Sequence, residues 1–299
     1  MMKLSMGAIN ILVYNTMWGE PLRFCPEELP SGCSITTDRE LLPIADAVVF
    51  HLPDLRWCMD TDEIIKPKGQ IWVAWSLECE ENYPWMKEVG FRNNFDLWMG
   101  YHQDDDIVFP YYKAEYEKNL LNPISIAKRR NKACMFISST VNQSHRQEYL
   151  AELMKYTEID SYGKLFKNMP LIEDKGESSL LEIISEYKFV IGFENAIAKD
   201  YVTEKFYNPL LAGTVPVYKG AQNIHDFAPG KNSFLDVNVF DSPVRLAEYM
   251  ESCYKNEANY VHFHEWRNLP ILSSFKEKLD GIRFPPFYRL CQRIKEMRL

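Results

Sequence analysis

The chain contains no apolar run of the roughly 18 residues that a membrane span requires, so its 299 residues predict no integral membrane helix. Positive charge is also short. With 34 Lys and Arg against 42 Asp and Glu, the net charge is −8, which argues against nucleic acid or an anionic membrane surface as main partner. Seven cysteines, at positions 25, 33, 58, 79, 134, 253 and 291, show no paired-ligand spacing and leave one over. That scatter suits reduced thiols in a cytosol, with Cys33, Cys58 and Cys134 in or beside apolar runs as core residues. The start offers one Lys and a short run from Ala8 to Tyr14, which suits a first buried strand better than a signal peptide. A cytoplasmic location is therefore expected. Repeats, heptads, a P-loop, a dinucleotide glycine fingerprint and a nucleophilic triad are all missing.

What is present is an α/β pattern. Apolar content is 46% and charged content 25%, values of a globular chain long enough for two cores. Strand-like runs at Ile9–Tyr14, Ala45–His51, Ile71–Ser76 and Leu97–Tyr101 form a first series, with a helical stretch at Asp60–Ile65. A second series holds Ala133–Ser138, Phe189–Phe193, Thr214–Tyr218 and Ser233–Val237. Helical stripes lie between them at Arg146–Tyr156 and Ser178–Glu186, and strands alternating with helices predict parallel sheets. Asn119–Asn131, with its Pro and its basic run Lys128, Arg129 and Arg130, reads as the linker. Phe284–Leu299 reads as a terminal helix.

The densest stretch runs from Tyr187 to Gly220. An apolar run ends in Phe193-Glu194-Asn195, and a polar loop carries Asp200 and Tyr201. A helix starts near Glu204-Lys205 and is expected to be kinked or shortened by Pro209. The apolar run Thr214–Tyr218 completes a strand–loop–helix–strand unit, and such units bind ligands at the carboxyl ends of their strands. Upstream, Ser144 and Gln147 have capping-box spacing. They open a helix whose free N–H groups suit an anion and whose first turn holds Arg146, a cation where the helix dipole disfavours one.

Phe193–Asn195, Asp200–Lys205 and Ala212–Val217 together closely resemble the donor-binding signature of the alpha-1,3-fucosyltransferases, glycosyltransferase family ten. The resemblance covers most of the chain, loosely from Ile9 and tightly from Lys132 to Trp266. It implies the GT-B architecture, two Rossmann-like domains facing a cleft, with a C-terminal helix returning to the first. On that basis residues 1–127 would form the acceptor-binding domain, 128–275 the GDP-fucose-binding domain and 276–299 the helical tail. The implied donor contacts are Arg146, Ser138, Asn195, Tyr201, Glu204 and Lys205. The family has Ser-Asn where this chain has Ser138-Ser139. After the strand ending at Ser76 the family places its catalytic base, and Glu78 matches that position. Cys79-Glu80 stands there in place of the usual Ser-Pro. A carboxylate near Trp72 and Trp75 could have its pKa raised, which suits a base.

The implied reaction is inverting transfer of L-fucose from GDP-fucose to a hydroxyl of N-acetylglucosamine in a lactosamine-type glycan. Arg146 and Lys205 would stabilise departing GDP, with no metal required. Two other readings stay open: a GT-B transferase using another nucleotide sugar, and a non-catalytic module that holds glycan or GDP. Asp104-Asp105-Asp106 is read as a solvated loop, and His262, His264 and Glu265 as structural.

Overall fold

The computed structural model describes residues 8–20, 22, 24, 28–59, 64–128, 130–170 and 176–298. The chain divides into two compact units, Met1–Pro110 with Ile282–Leu299, and Tyr111–Gly281.

The first unit holds β1 (Ile9–Val13), β2 (Cys33–Thr36), β3 (Ala47–His51), β4 (Ile71–Ser76), β5 (Leu97–Gly100) and β6 (Ile107–Val108). They form one sheet in the order β2-β1-β3-β4-β5-β6, and every pairing is parallel. β1 and β3 are buried along their whole length, as strands covered on both faces must be. One face packs Ile11, Val49, Val73 and Met99 against Leu290, Cys291 and Ile294. Those three belong to α10 (Pro286–Arg298), so the terminal helix does return to the first unit. The other face carries Leu12, Val48 and Phe50 under half-buried aromatics such as Trp72, Trp85 and Phe95. It is flanked by α1 (Leu52–Met59) and the short α2 (Val89–Arg92).

The second unit holds β7 (Arg130–Met135), β8 (Ile159–Ser161), β9 (Tyr187–Phe193), β10 (Val215–Lys219) and β11 (Leu235–Asp236). Their order is β11-β10-β9-β7-β8, again wholly parallel. The helices are α3 (Tyr116–Leu120), α4 (Arg146–Leu153), α5 (Glu177–Ser185), α6 (Glu204–Leu211), α7 (Pro243–Lys255), α8 (Glu257–Val261) and α9 (Ser273–Gly281). α4, α7 and α8 cover one face of the sheet through Leu150, Leu246, Met250 and Tyr260. Ile184 of α5 and the partly buried Leu180 lie on the other.

Both sheets share one strand order. Read from each unit's own first strand it is 2-1-3-4-5, extended in the first unit by a sixth strand, the doubly wound order in which a ligand binds at the carboxyl ends of strands 1 and 3. The switch points are thus β1/β3 in the first unit and β7/β9 in the second.

Several boundaries depart from the sequence reading. The break falls after Pro110, not Ala127, because Tyr112 packs on Tyr207 and Phe275 at ring distances of 5.9 and 5.5 Å and draws the intervening segment into the second unit. The tail begins at Ile282, not 276, since Phe275 and Leu279 are buried on α9 within the second unit. Helix α1 occupies Leu52–Met59. The helix expected at 60–65 has 60–63 outside the described residues, and Ile64 and Ile65 are not helical. Strand β7 ends at Met135 instead of Ser138. The thiols are not all unpaired either, because Cys33 of β2 and Cys291 of α10 form a disulfide with a Cα separation of 6.5 Å. A sequence separation of 258 residues hid that pairing, which exists because α10 lies on the first sheet. Among the described residues no helix is long and apolar enough to cross a membrane.

Candidate active site

In the second unit the polar residues gather at the β7/β9 switch point. β9 is apolar and buried throughout, and the chain turns at Glu194, whose side chain is fully buried. Thr203 caps α6, its hydroxyl accepting from the Lys205 N–H. Thr203 also donates to Glu194, N–H to Oε1 and hydroxyl to Oε2, each at 2.8 Å. Lys205 Nζ sits 3.0 Å from Thr203 Oγ1, 2.8 Å from Glu204 Oε1 and 3.5 Å from Glu194 Oε2. Burial works against charge on Lys205, but Glu194 and Glu204 outweigh it and hold its pKa above the ordinary lysine value. For Glu194 burial raises the pKa, opposed by Lys205. Together they place a charged ammonium at the N-terminal end of α6, beside the helix's free amides.

Arg146 is fully buried. Its Nη1 donates to Phe193 O at 3.0 Å and its Nη2 to Ser139 O at 2.8 Å, so the guanidinium ties the carboxyl ends of β7 and β9 together. Nε has no hydrogen-bond partner. Burial lowers its pKa, opposed by Glu194, Tyr201 and Glu204. The sequence offered Arg146 as a phosphate ligand in the first turn of a helix; the structure makes it a buried charge that holds two loops. The capping box does not form. Asn142 Oδ1 accepts from Gln147 N–H at 3.0 Å, while Ser144 turns away and donates its hydroxyl to Glu194 O at 2.5 Å. His145, at φ 53°, is the residue before α4.

The remaining predicted donor residues fall on the same edge. Ser138 is exposed on the loop after β7. Asn195 is buried, and its carbonyl accepts from Ser144 N–H at 3.1 Å. Tyr201 is buried with its ring 6.2 Å from that of Tyr111, edge to face. Glu204 is half exposed. Sequence reasoning passed over Glu194 and Thr203 as site residues, although a carboxylate directly after an all-apolar strand signalled a buried acid. It also passed over Lys219, at the end of β10, whose Nζ donates to Ser144 O at 2.6 Å. Asp200, at φ 65° and buried, is held by Asn223, which accepts from its N–H at 3.0 Å and donates to its Oδ1 at 2.9 Å.

The first unit carries a separate polar edge. Glu78 is half buried on the loop after β4, its N–H donating to Ser76 Oγ at 3.1 Å. The nearby carboxylates are differently engaged. Glu80 accepts from the Tyr101 hydroxyl and lies 3.2 Å from His102 Nε2. Burial alone would raise it, but those two hydrogen bonds bring it down to about 2, too acidic to serve as a base near neutrality. Glu81 pairs with Lys87 at 2.9 Å. Cys79 is buried, and burial pushes its thiol up to about 12. On β3, His51 is buried with Nδ1 3.3 Å from Asp54 Oδ2; burial lowers its pKa against the pull of Asp54. Of the three aspartates expected in a solvated loop, Asp104 and Asp106 are exposed and Asp105 is half-buried. Asp106 accepts from Trp98 N–H at 2.8 Å and Asp105 from His102 N–H at 3.2 Å, with Asp105 raised to about 6 chiefly by burial.

Two parallel sheets of like order, each with polar side chains at its carboxyl edge, make up a GT-B-type fold. Residues 126–299 match the model described as glycosyltransferase family 10 (fucosyltransferase) C-term, and residues 7–112 match the one described as fucosyltransferase, N-terminal. The chain belongs to glycosyltransferase family 10. It is 34% identical over 247 residues to 4-galactosyl-N-acetylglucosaminide 3-alpha-L-fucosyltransferase 9 of Mus musculus, and equally so to that of Homo sapiens. In both cases the match covers 80% of this chain and 66% of the relative. It is 30% identical to 3-galactosyl-N-acetylglucosaminide 4-alpha-L-fucosyltransferase FUT3 of Pan troglodytes, over 91% of this chain and 72% of the relative. The chain thus spans just under two thirds of the length of the first of these relatives. A crystal structure of an alpha1,3-fucosyltransferase with GDP-fucose superposes with a TM-score of 0.63 at 17% identity, covering 92% of this chain and 89% of that one. This likeness bears on the fold.

Proposed function

We propose that this protein is an inverting alpha-1,3(/4)-fucosyltransferase that moves L-fucose from GDP-fucose to a hydroxyl of N-acetylglucosamine in a lactosamine-type glycan. The observation that carries the reading is the charged Lys205 at the N-terminal end of α6, held over the β7/β9 switch point by Glu194, Thr203 and Glu204. A diphosphate gains negative charge as its bond to the sugar breaks, and a preorganised cation with helix amides stabilises that charge. Arg146 adds positive potential from beneath and fixes the two loops. The names of the relatives support fucose as the sugar and galactosylated N-acetylglucosamine as the acceptor.

In the proposed step the Glu78 carboxylate takes the proton of the acceptor hydroxyl as its oxygen bonds to the anomeric carbon of fucose. The bond from that carbon to the β-phosphate oxygen breaks, and GDP leaves with the electron pair. Attack opposite the leaving group converts the β-linked donor to an α-fucoside. Lys205 supplies the charge stabilisation, so the reading requires no metal.

The test is transfer of labelled fucose from GDP-fucose to N-acetyllactosamine with EDTA present, comparing the native chain with Glu78→Gln. Native transfer that drops by about 10²-fold or more in the variant supports the donor, the base and metal independence together. A fully active variant removes Glu78 as the base. Native transfer that stops in EDTA removes metal independence. Tight GDP-fucose binding without transfer to any glycan would favour a binding module.

A further inference from the structure

A tryptophan stands in the first unit where neither the backbone nor burial calls for one. After β1, Met17 and Glu20 exchange both backbone bonds, Met17 N–H to Glu20 O at 3.0 Å and Glu20 N–H to Met17 O at 3.1 Å. This closes a two-residue hairpin on Trp18 and Gly19, which have φ values of 55° and 80°. Positive φ at both central positions is the signature of a type I′ turn, whose favoured pair is Asn-Gly. A bulky residue at such a φ is an outlier. Its side chain is not stored in the core, since Trp18 is 51% exposed. Strain of this kind clusters at binding sites.

The surroundings say what the ring faces. Trp18 meets the His51 ring edge-on at 5.6 Å, and His51 lies 5.2 Å from Trp75. β1 and β3 are the switch-point strands of this sheet, and β4, which leads to Glu78, is the next strand over. Two strand spacings, about 10 Å, are a distance that a disaccharide covers. Met17 beside the tryptophan and Leu77 beside Glu78 line one cavity of about 420 Å³.

We propose that Trp18 is an acceptor platform: its half-exposed indole packs against the apolar C–H face of a hexose and sets which glycan hydroxyl reaches the carboxyl edge where Glu78 lies. The inference rests on the fucosyltransferase reading for its choice of glycan. A flat aromatic surface suits this ligand because a pyranose has one face rich in C–H groups.

The experiment measures binding of N-acetyllactosamine and, separately, of GDP-fucose by the native chain, Trp18→Asn and Trp18→Phe. Asparagine suits the turn better than tryptophan does, so Trp18→Asn should keep or raise the melting temperature and keep GDP-fucose affinity. Its affinity for N-acetyllactosamine should fall about tenfold, while Trp18→Phe retains most of it. Native glycan affinity in Trp18→Asn overturns the platform, as does a native chain that binds no N-acetyllactosamine. If Trp18→Asn fails to fold, the premise that the turn tolerates asparagine is wrong and the platform falls with it. A native chain that binds no GDP-fucose but loses glycan affinity with Trp18 overturns the donor reading and leaves the platform standing.

Discussion

Thr203 grips Glu194 with both of its donors, N–H on one carboxylate oxygen and hydroxyl on the other, each at 2.8 Å. The contact closes the loop between β9 and α6 at the point where the chain leaves the sheet. It also fixes a buried negative charge next to Lys205, which orients the ammonium before any ligand arrives.

Thr203→Val keeps the shape of that side chain and removes the hydroxyl. It strips one bond from a buried carboxylate and the cap from α6, so the variant should lose about 2 kcal/mol of stability. Thr203→Ser should recover most of it. Urea unfolding of the three chains decides the matter, and equal midpoints for Val and Thr would mean that the bond is immaterial.

Much of this arrangement could be read from the sequence. Apolar runs located β1, β3, β4, β5, β9 and β10, because a strand buried on both faces is a continuous apolar block bounded by turn residues. The short β6, β8 and β2 escaped, being too brief or too polar to stand out. Glu78 and Asn195 stand out because they follow strands, and Lys205 because it opens a helix. Arg146 stands out by its place in the first turn of a helix, but helix periodicity cannot show that Phe193 O and Ser139 O would fold onto its guanidinium. Glu194 belongs to the Phe193–Asn195 motif, yet its hold on Thr203 depends on two segments meeting, and no local pattern reports that. The Cys33–Cys291 pair was invisible for the same reason.

Glu80 offers a pH test. Its folded-state pKa, about 2, lies below the ordinary 4.5, so its stabilisation is full above 4.5 and is lost as pH falls towards 2. The difference corresponds to about 3 kcal/mol between the native chain and Glu80→Gln at neutral pH. That gap should narrow as unfolding is repeated at successively lower pH. A gap that stays constant through the acid range would show that Tyr101 and His102 do not hold the charged form.

Lys205→Met removes the ammonium while keeping an apolar stem. GDP should bind about tenfold to a hundredfold more weakly, the usual worth of a charge-assisted hydrogen bond. Calorimetry with GDP measures it. Because Glu194 also loses its nearest cation, the thermal midpoint should fall as well. Unchanged GDP affinity in a destabilised chain would make Lys205 a structural partner of Glu194 only.

Gly192 governs how close α6 comes to β9. A Cβ there would lie 2.6 Å from Lys205 O and 3.3 Å from Lys205 C, both backbone atoms, so no side chain can swing aside to make room. Pro209, four residues on, has no N–H to engage that carbonyl. Gly192→Ala should therefore push the start of α6 off the sheet and carry Lys205 with it. The expected cost is about 1–3 kcal/mol, as for other overpacked sites, together with weaker GDP binding. Gly281→Ala is the control, since nothing lies within 4 Å of its added methyl and its φ is not in the left-handed range; its stability should stay level or rise slightly. If Gly192→Ala lost stability but bound GDP as the native chain does, the position of α6 would matter to the fold and not to the donor site.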